Sequence, residues 1–269
     1  MSRRRGAVRI FAAALFLAVV AVAVPAAAQR GEDFALTEEH EVSSNPTPNQ
    51  GIPGLFDTEL APQGAFVVNA PATSLYYGVT PRLTIGTIVA SYASVAVGPP
   101  GASVLARYLL AGGARFRSTV DALMLGTSWS SSGAHRSLRV GLFGSNTEFA
   151  LTPSNRLTAN LWLARVSYEA ADSPFSGTAF LAGGTYSLTV TPRVALHVTG
   201  LYLAWATGTV DAPGKVLDID GASSRPFADR LVLRAMLSLR RGPWLFDLGA
   251  VRAGPIYMPW INVAFQMGS

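Results

Sequence analysis

The chain has three histidines, His40, His135 and His197, and no cysteine. The three lie in different segments, and no two have the spacing of metal ligands. His135-Arg136-Ser137 sets a base beside a hydroxyl, and a serine attacks an acyl group only with an adjacent base. No carboxylate stands nearby to orient that histidine, so a barrel-embedded lipid hydrolase is the weakest functional reading. Asp218-Ile219-Asp220-Gly221 offers two carboxylates without the other ligands of a calcium loop, and reads as an ordinary polar loop. The expectation is a protein that is not an enzyme and holds neither metal nor cofactor.

The arginines carry more. Arg107, Arg117, Arg139, Arg230, Arg234 and Arg240, with Asp121 and Asp247 as the acids, fall on alternating positions of apolar runs. Successive side chains of a strand point to opposite faces, so these eight would turn to one interior. There they form either a satisfied network that plugs a narrow lumen or a path that favours anions. A turn at Gly113-Ala114-Arg115 would set Arg107 opposite Asp121. Arg230, Arg234 and Arg240 would run as a ladder on one strand, with Asp247 beside Met236 or Ser238.

The elements that must position these groups follow from the rest of the chain. Apolar residues make up 49% of it and charged residues 14%, against about 25% charge in an average soluble domain. Arg3, Arg4, Arg5 and Arg9 precede a run of 15 apolar residues, Ile10 to Val24, which Pro25 breaks before Ala26-Ala27-Ala28. A basic start, a short apolar stretch and a small-residue exit are the parts of a secretory signal, so residues 1–28 are expected to be cleaved. Their removal leaves 17 basic against 16 acidic residues, too even a balance for a nucleic-acid partner. Residues 29–59 hold Glu32, Asp33, Glu38, Glu39 and Glu41, then Asn45-Pro46-Thr47-Pro48-Asn49. They read as an acidic, solvated periplasmic tail.

From residue 60 to 269 short apolar runs alternate with turn residues. None is long enough for a spanning helix, and in lipid the remaining solution is a closed barrel. Thr80-Pro81-Arg82, Gly112-Gly113-Ala114-Arg115, Thr152-Pro153-Ser154-Asn155, Thr191-Pro192-Arg193 and Arg241-Gly242-Pro243 mark five tight turns. The gaps between them, roughly 33 to 50 residues, each fit two strands and one opposite loop, the repeat of an up-and-down barrel. The loop over 208–228 is the long one. Counting gives an all-β, antiparallel barrel of about twelve strands, or ten if the two short initial ones are left out. Residues 156–169 break the simple pattern. Thr158 and Asn160 share a face with Trp162 and Tyr168, whereas Arg165 and Glu169 share the face of Leu157 and Leu161. Either a bulge near Leu163 shifts the register or part of the interior is apolar.

The stretch Tyr77-Gly78-Val79-Thr80-Pro81-Arg82-Leu83-Thr84-Ile85-Gly86 resembles the turn that recurs near the start of many Gram-negative outer-membrane β-barrel proteins, and the later Thr-Pro turns echo it. The resemblance covers about residues 60–269. It implies an outer-membrane location, with membrane lipid and the barrel-assembly machinery as partners. The chain departs from that family at its end, where Phe265 is followed by Gln266, Met267, Gly268 and Ser269 rather than closing on an aromatic residue. The expected function is a channel or passive transporter for small solutes, with a preference for anions if the arginines line its path. The alternative is a structural or surface-interaction barrel with a plugged lumen.

Overall fold

The computed structural model describes residues 47–54, 56–70, 74–88, 101–113, 115–131, 134–169, 174–212, 215–220, 230–253 and 256–268. The expected leader, residues 29–46 of the expected tail and residues 213–214 and 221–228 of the expected long loop lie outside them.

Thirteen strands form among the described residues: β1 (Phe66–Ala70), β2 (Ser74–Thr80), β3 (Leu83–Ile88), β4 (Gly101–Gly113), β5 (Phe116–Ser131), β6 (Ala134–Ala150), β7 (Asn155–Glu169), β8 (Phe175–Thr191), β9 (Val194–Ala212), β10 (Lys215–Asp220), β11 (Leu231–Arg241), β12 (Trp244–Ala253) and β13 (Ile256–Met267). Each pairs antiparallel with its neighbours, and β1 pairs with β13. Twelve of them thereby close an up-and-down barrel. The thirteenth, β10, only folds back on the end of β9. It falls in the stretch expected to be loop and places Asp218 and Asp220 on a strand.

The five turns stand where turn chemistry puts them. Gly113 pairs with Phe116, Thr191 with Val194 and Arg241 with Trp244, so these turns hold two residues each. Thr80 Oγ1 accepts from Arg82 N at 3.1 Å, Thr152 Oγ1 from Asn155 N at 3.0 Å and Thr191 Oγ1 from Arg193 N at 3.2 Å. The recurring Thr-Pro step is therefore a side-chain clasp on a backbone turn. Gly242 takes φ 59°, which the tight Arg241–Trp244 connection requires.

Alternation sets the two faces. Met124 is 71% exposed, and Phe143, Phe149, Leu157, Leu163, Tyr186, Phe246 and Ile261 are also exposed on the outside. Thr84, Thr119, Asn146, Asn160, Thr199 and Ser238 are buried within. Near the short turns the outer face carries aromatic pairs: Phe66 with Tyr77, Phe116 with Phe149 and Trp244 with Phe265. Ten residues of β6 separate Phe149 from Arg139. At about 3.3 Å per residue and a tilt of 35–45° that is roughly 25 Å, the height of an apolar belt. The fold fits a membrane-embedded barrel.

Candidate functional site

The interior of the lower barrel is occupied by the chain itself. Residues 47–65 enter at the short-turn end, rise to Phe56 and return to β1. Ile52, Thr58, Glu59, Leu60, Ala61 and Ala65 are buried. Ile52 and Ala61 join Val67, Leu245 and Ala264 in a small apolar cluster beside Tyr76. This corrects the expectation of a solvated tail at these positions. Ile52, Leu55 and Phe56 are the signal that the sequence held: apolar residues in a stretch that water alone would not require.

The wall grips this segment with polar groups, chiefly Arg107. Its Nε donates to Asp121 Oδ1, Nη1 to Asp57 Oδ1 at 2.8 Å and to the Glu59 carbonyl at 2.7 Å, and Nη2 to the Gly54 carbonyl at 2.6 Å. A planar guanidinium suits this because its fixed fork reaches several acceptors at once. Asp121 is held in turn by Asn146 Nδ2 at 2.9 Å. Arg240 Nη1 donates to the carbonyls of Pro48 at 3.0 Å and Gln50 at 2.6 Å. Arg117 pairs with Glu59 at 3.3 Å. Asn69 Nδ2 donates to the Pro53 carbonyl at 3.1 Å, and Asn160 Nδ2 and Thr185 Oγ1 both donate to that of Phe56 at 3.3 Å. The segment has few backbone partners of its own, so buried carbonyls must find donors on the wall.

Arg107 faces Asp121 as expected, but by a different route. The turn has two residues rather than three, and a bulge between Leu109 and Ala111 restores the register. Arg117, Arg234 and Arg240 also turn inward, as does Asp247, which accepts from Ser238 Oγ at 2.5 Å and Asn262 Nδ2 at 2.9 Å. Asp247 makes no direct ion pair with the arginine ladder among the described residues and acts on Arg234 only from farther off. Arg139 is a correction. It shares the outward face of Phe143, is 70% exposed, and lies 3.9 Å from Glu169. Its position marks the upper edge of the belt rather than the lumen. Arg230 leaves the ladder too. Its guanidinium stacks 4.7 Å over Tyr202, a residue whose partner Leu231 stands on the outer face with Leu233.

His197 turns inward, with Nδ1 2.8 Å from Ser187 Oγ. His135 falls in β6, and its side chain lies outside the described ones. Among the described residues no group of three potential metal ligands converges. Neither a family model nor a curated protein matches the chain.

Asp57 lies on the inner segment and not on a strand. Burial pushes its carboxyl up from 3.8 to about 6, against the pull of Arg107. The docked segment thus keeps a proton that a released one gives up. Docking is strongest at low pH, weakens as pH rises from 3.8 to about 6, and owes nothing further to this group above that. On an Arg240→Ala background, which loosens the segment, brief openings in a planar bilayer should become rarer between pH 7 and pH 5. Asp57→Asn should flatten that dependence, and an opposite trend would refute the proton assignment.

Proposed function

We propose that this chain is an exported outer-membrane β-barrel that stands closed. Its own segment 47–65 stops the lumen at the short-turn end, so the barrel acts through what it holds or presents on the far side rather than as a standing pore. The observation that carries this reading is the Arg107 clamp, three of whose four hydrogen bonds run to residues 54–59. The outer belt and its aromatic pairs support a lipid surround, and short turns at one end support a periplasmic side for them.

The passive channel for anionic solutes is the less favoured of the two readings. Arg107 and Arg117 answer carboxylates, and Arg156 answers Glu148 at 3.0 Å. Arg240 is engaged by backbone carbonyls of the segment. Only a barrel that had released its segment would present these groups to a solute. Purified full-length protein in a planar bilayer should show no steady conductance. A standing, anion-selective current would overturn the closed barrel and restore the channel. Fractionation should recover the protein with the outer membrane, and N-terminal sequencing should begin at Gln29.

A further inference from the structure

Above the segment the character of the interior changes. The buried inner ring around residues 54–62 is polar, built from Thr84, Thr119, Asp121, Asn146, Thr158, Asn160, Thr185 and Thr199. Further towards the long-loop end the inward positions are mostly apolar, with Leu105, Leu123, Leu142, Val166, Leu181 and Val232 around the wall and the buried Ser103 and Leu201 among them. The six of the wall are half-buried rather than buried, so among the described residues a space remains between them. Strand β7 runs through both zones with no register shift. Its inner face therefore passes from Thr158 and Asn160 to Trp162, Ala164 and Val166 because the interior itself becomes apolar. An aqueous pore would not need such a lining, and an apolar surface left half-covered in a lumen marks a binding site.

The floor of this space has one distinctive polar group. Phe56, the tip of the segment, sits edge-on to Trp162 at 6.0 Å and under the Arg234 guanidinium at 5.2 Å. Among the described residues Arg234 has no carboxylate within ion-pair distance, Asp57 and Asp247 acting on it only from farther off, and its one hydrogen bond there, from Nη2 to Thr199 Oγ1, is long at 3.3 Å. Stacking uses the face of the guanidinium and leaves its edge to donate. A half-buried cation at the foot of an apolar wall calls for a counter-charge that arrives with apolar surface attached.

We infer that the upper lumen is a binding cup for an amphiphilic carboxylate, its head on Arg234 and its apolar body against the leucine and valine wall. This rests on the closed-barrel reading, since Phe56 of the docked segment forms the floor. The experiment uses full-length protein in nanodiscs and two probes, dibromostearic acid and dibromostearyl alcohol, which quench tryptophan on contact. Trp205 and Trp244, on the outer face, report quenching from the surrounding lipid, and a Trp162→Phe variant isolates the floor. A saturable component that the acid produces and Trp162→Phe removes is expected. Arg234→Gln should weaken it about tenfold, the scale of one charge-assisted hydrogen bond. Leu123→Glu, which sets a charge in the wall, should abolish it without changing the heat-dependent gel mobility of the barrel. Equal quenching by acid and alcohol, or quenching unaltered by all three variants, would overturn the cup. A bilayer recording on the same preparation separates the two failures. A silent barrel that binds no acid refutes the cup alone, whereas a conducting one refutes the closed barrel.

Discussion

Arg107→Ala should convert a silent barrel into one that opens in bursts. The substitution removes the donor of three hydrogen bonds to residues 54–59 and leaves Asp57 and Asp121 facing each other without a cation. Removing one partner of a buried ion pair typically costs about 3–5 kcal/mol, and here most of that loss falls on the docking of the segment. The wall should survive, because β4 stays paired with β3 and β5 through its backbone. Arg240, Asn69 and Asn160 still hold the segment, so openings should be transient. Arg107→Ala combined with Arg240→Ala should lengthen them. Arg107→Lys should fall between, since an ammonium restores the charge but not the fork. Unaltered silence in the double variant, with the barrel intact by gel mobility, would show that Arg107 is not the clamp.

The barrel was legible because its signals are local and repeated. Thr-Pro steps bind their own turns, and alternation over 230–240 and 177–190 reads directly as inside and outside. The inner segment was not legible for the opposite reason. Asp57 and Glu59 are held by groups from distant strands, with Arg107 50 and 48 residues away, and no local pattern announces such a partner. Arg139 was misplaced because an arginine at the rim of a lipid belt and an arginine in a lumen look alike in a single strand. What distinguishes them is the parity of Phe143 and Phe149 on the same strand. Residues 156–169 left a bulge and an apolar interior equally open in the sequence, and the unshifted register of β7 decides for the apolar interior.

Gly78 belongs to the stretch Tyr77-Gly78-Val79-Thr80 that resembles a turn of outer-membrane barrels, and the structure supplies a reason for the glycine. A Cβ there would lie 2.0 Å from the Pro62 carbonyl oxygen and 2.6 Å from that of Ala61. Both atoms are backbone, so neither can swing aside as a side chain would. The stem of the inner segment presses against the wall at this point. Gly64 N donates to the Gly78 carbonyl at 2.8 Å, and Gly78 N donates to that of Ala65 at 3.1 Å. A methyl group must therefore push residues 61–65 away from the wall, breaking the bond from Ala61 N to Thr84 Oγ1 at 3.0 Å. Overpacking of this kind costs about 1–3 kcal/mol for a small insertion, and a β-branched side chain adds more. Gly78→Ala should lower the unfolding midpoint and admit burst openings. Gly78→Val should fail to dock the segment and conduct steadily. Gly126 and Gly141 serve as controls, since an added Cβ there meets nothing within 4 Å. Alanine at either should leave both stability and silence unchanged. If Gly78→Val stays as silent and as stable as Gly126→Ala, the stem does not seat against β2 and the closed end of the barrel needs another explanation.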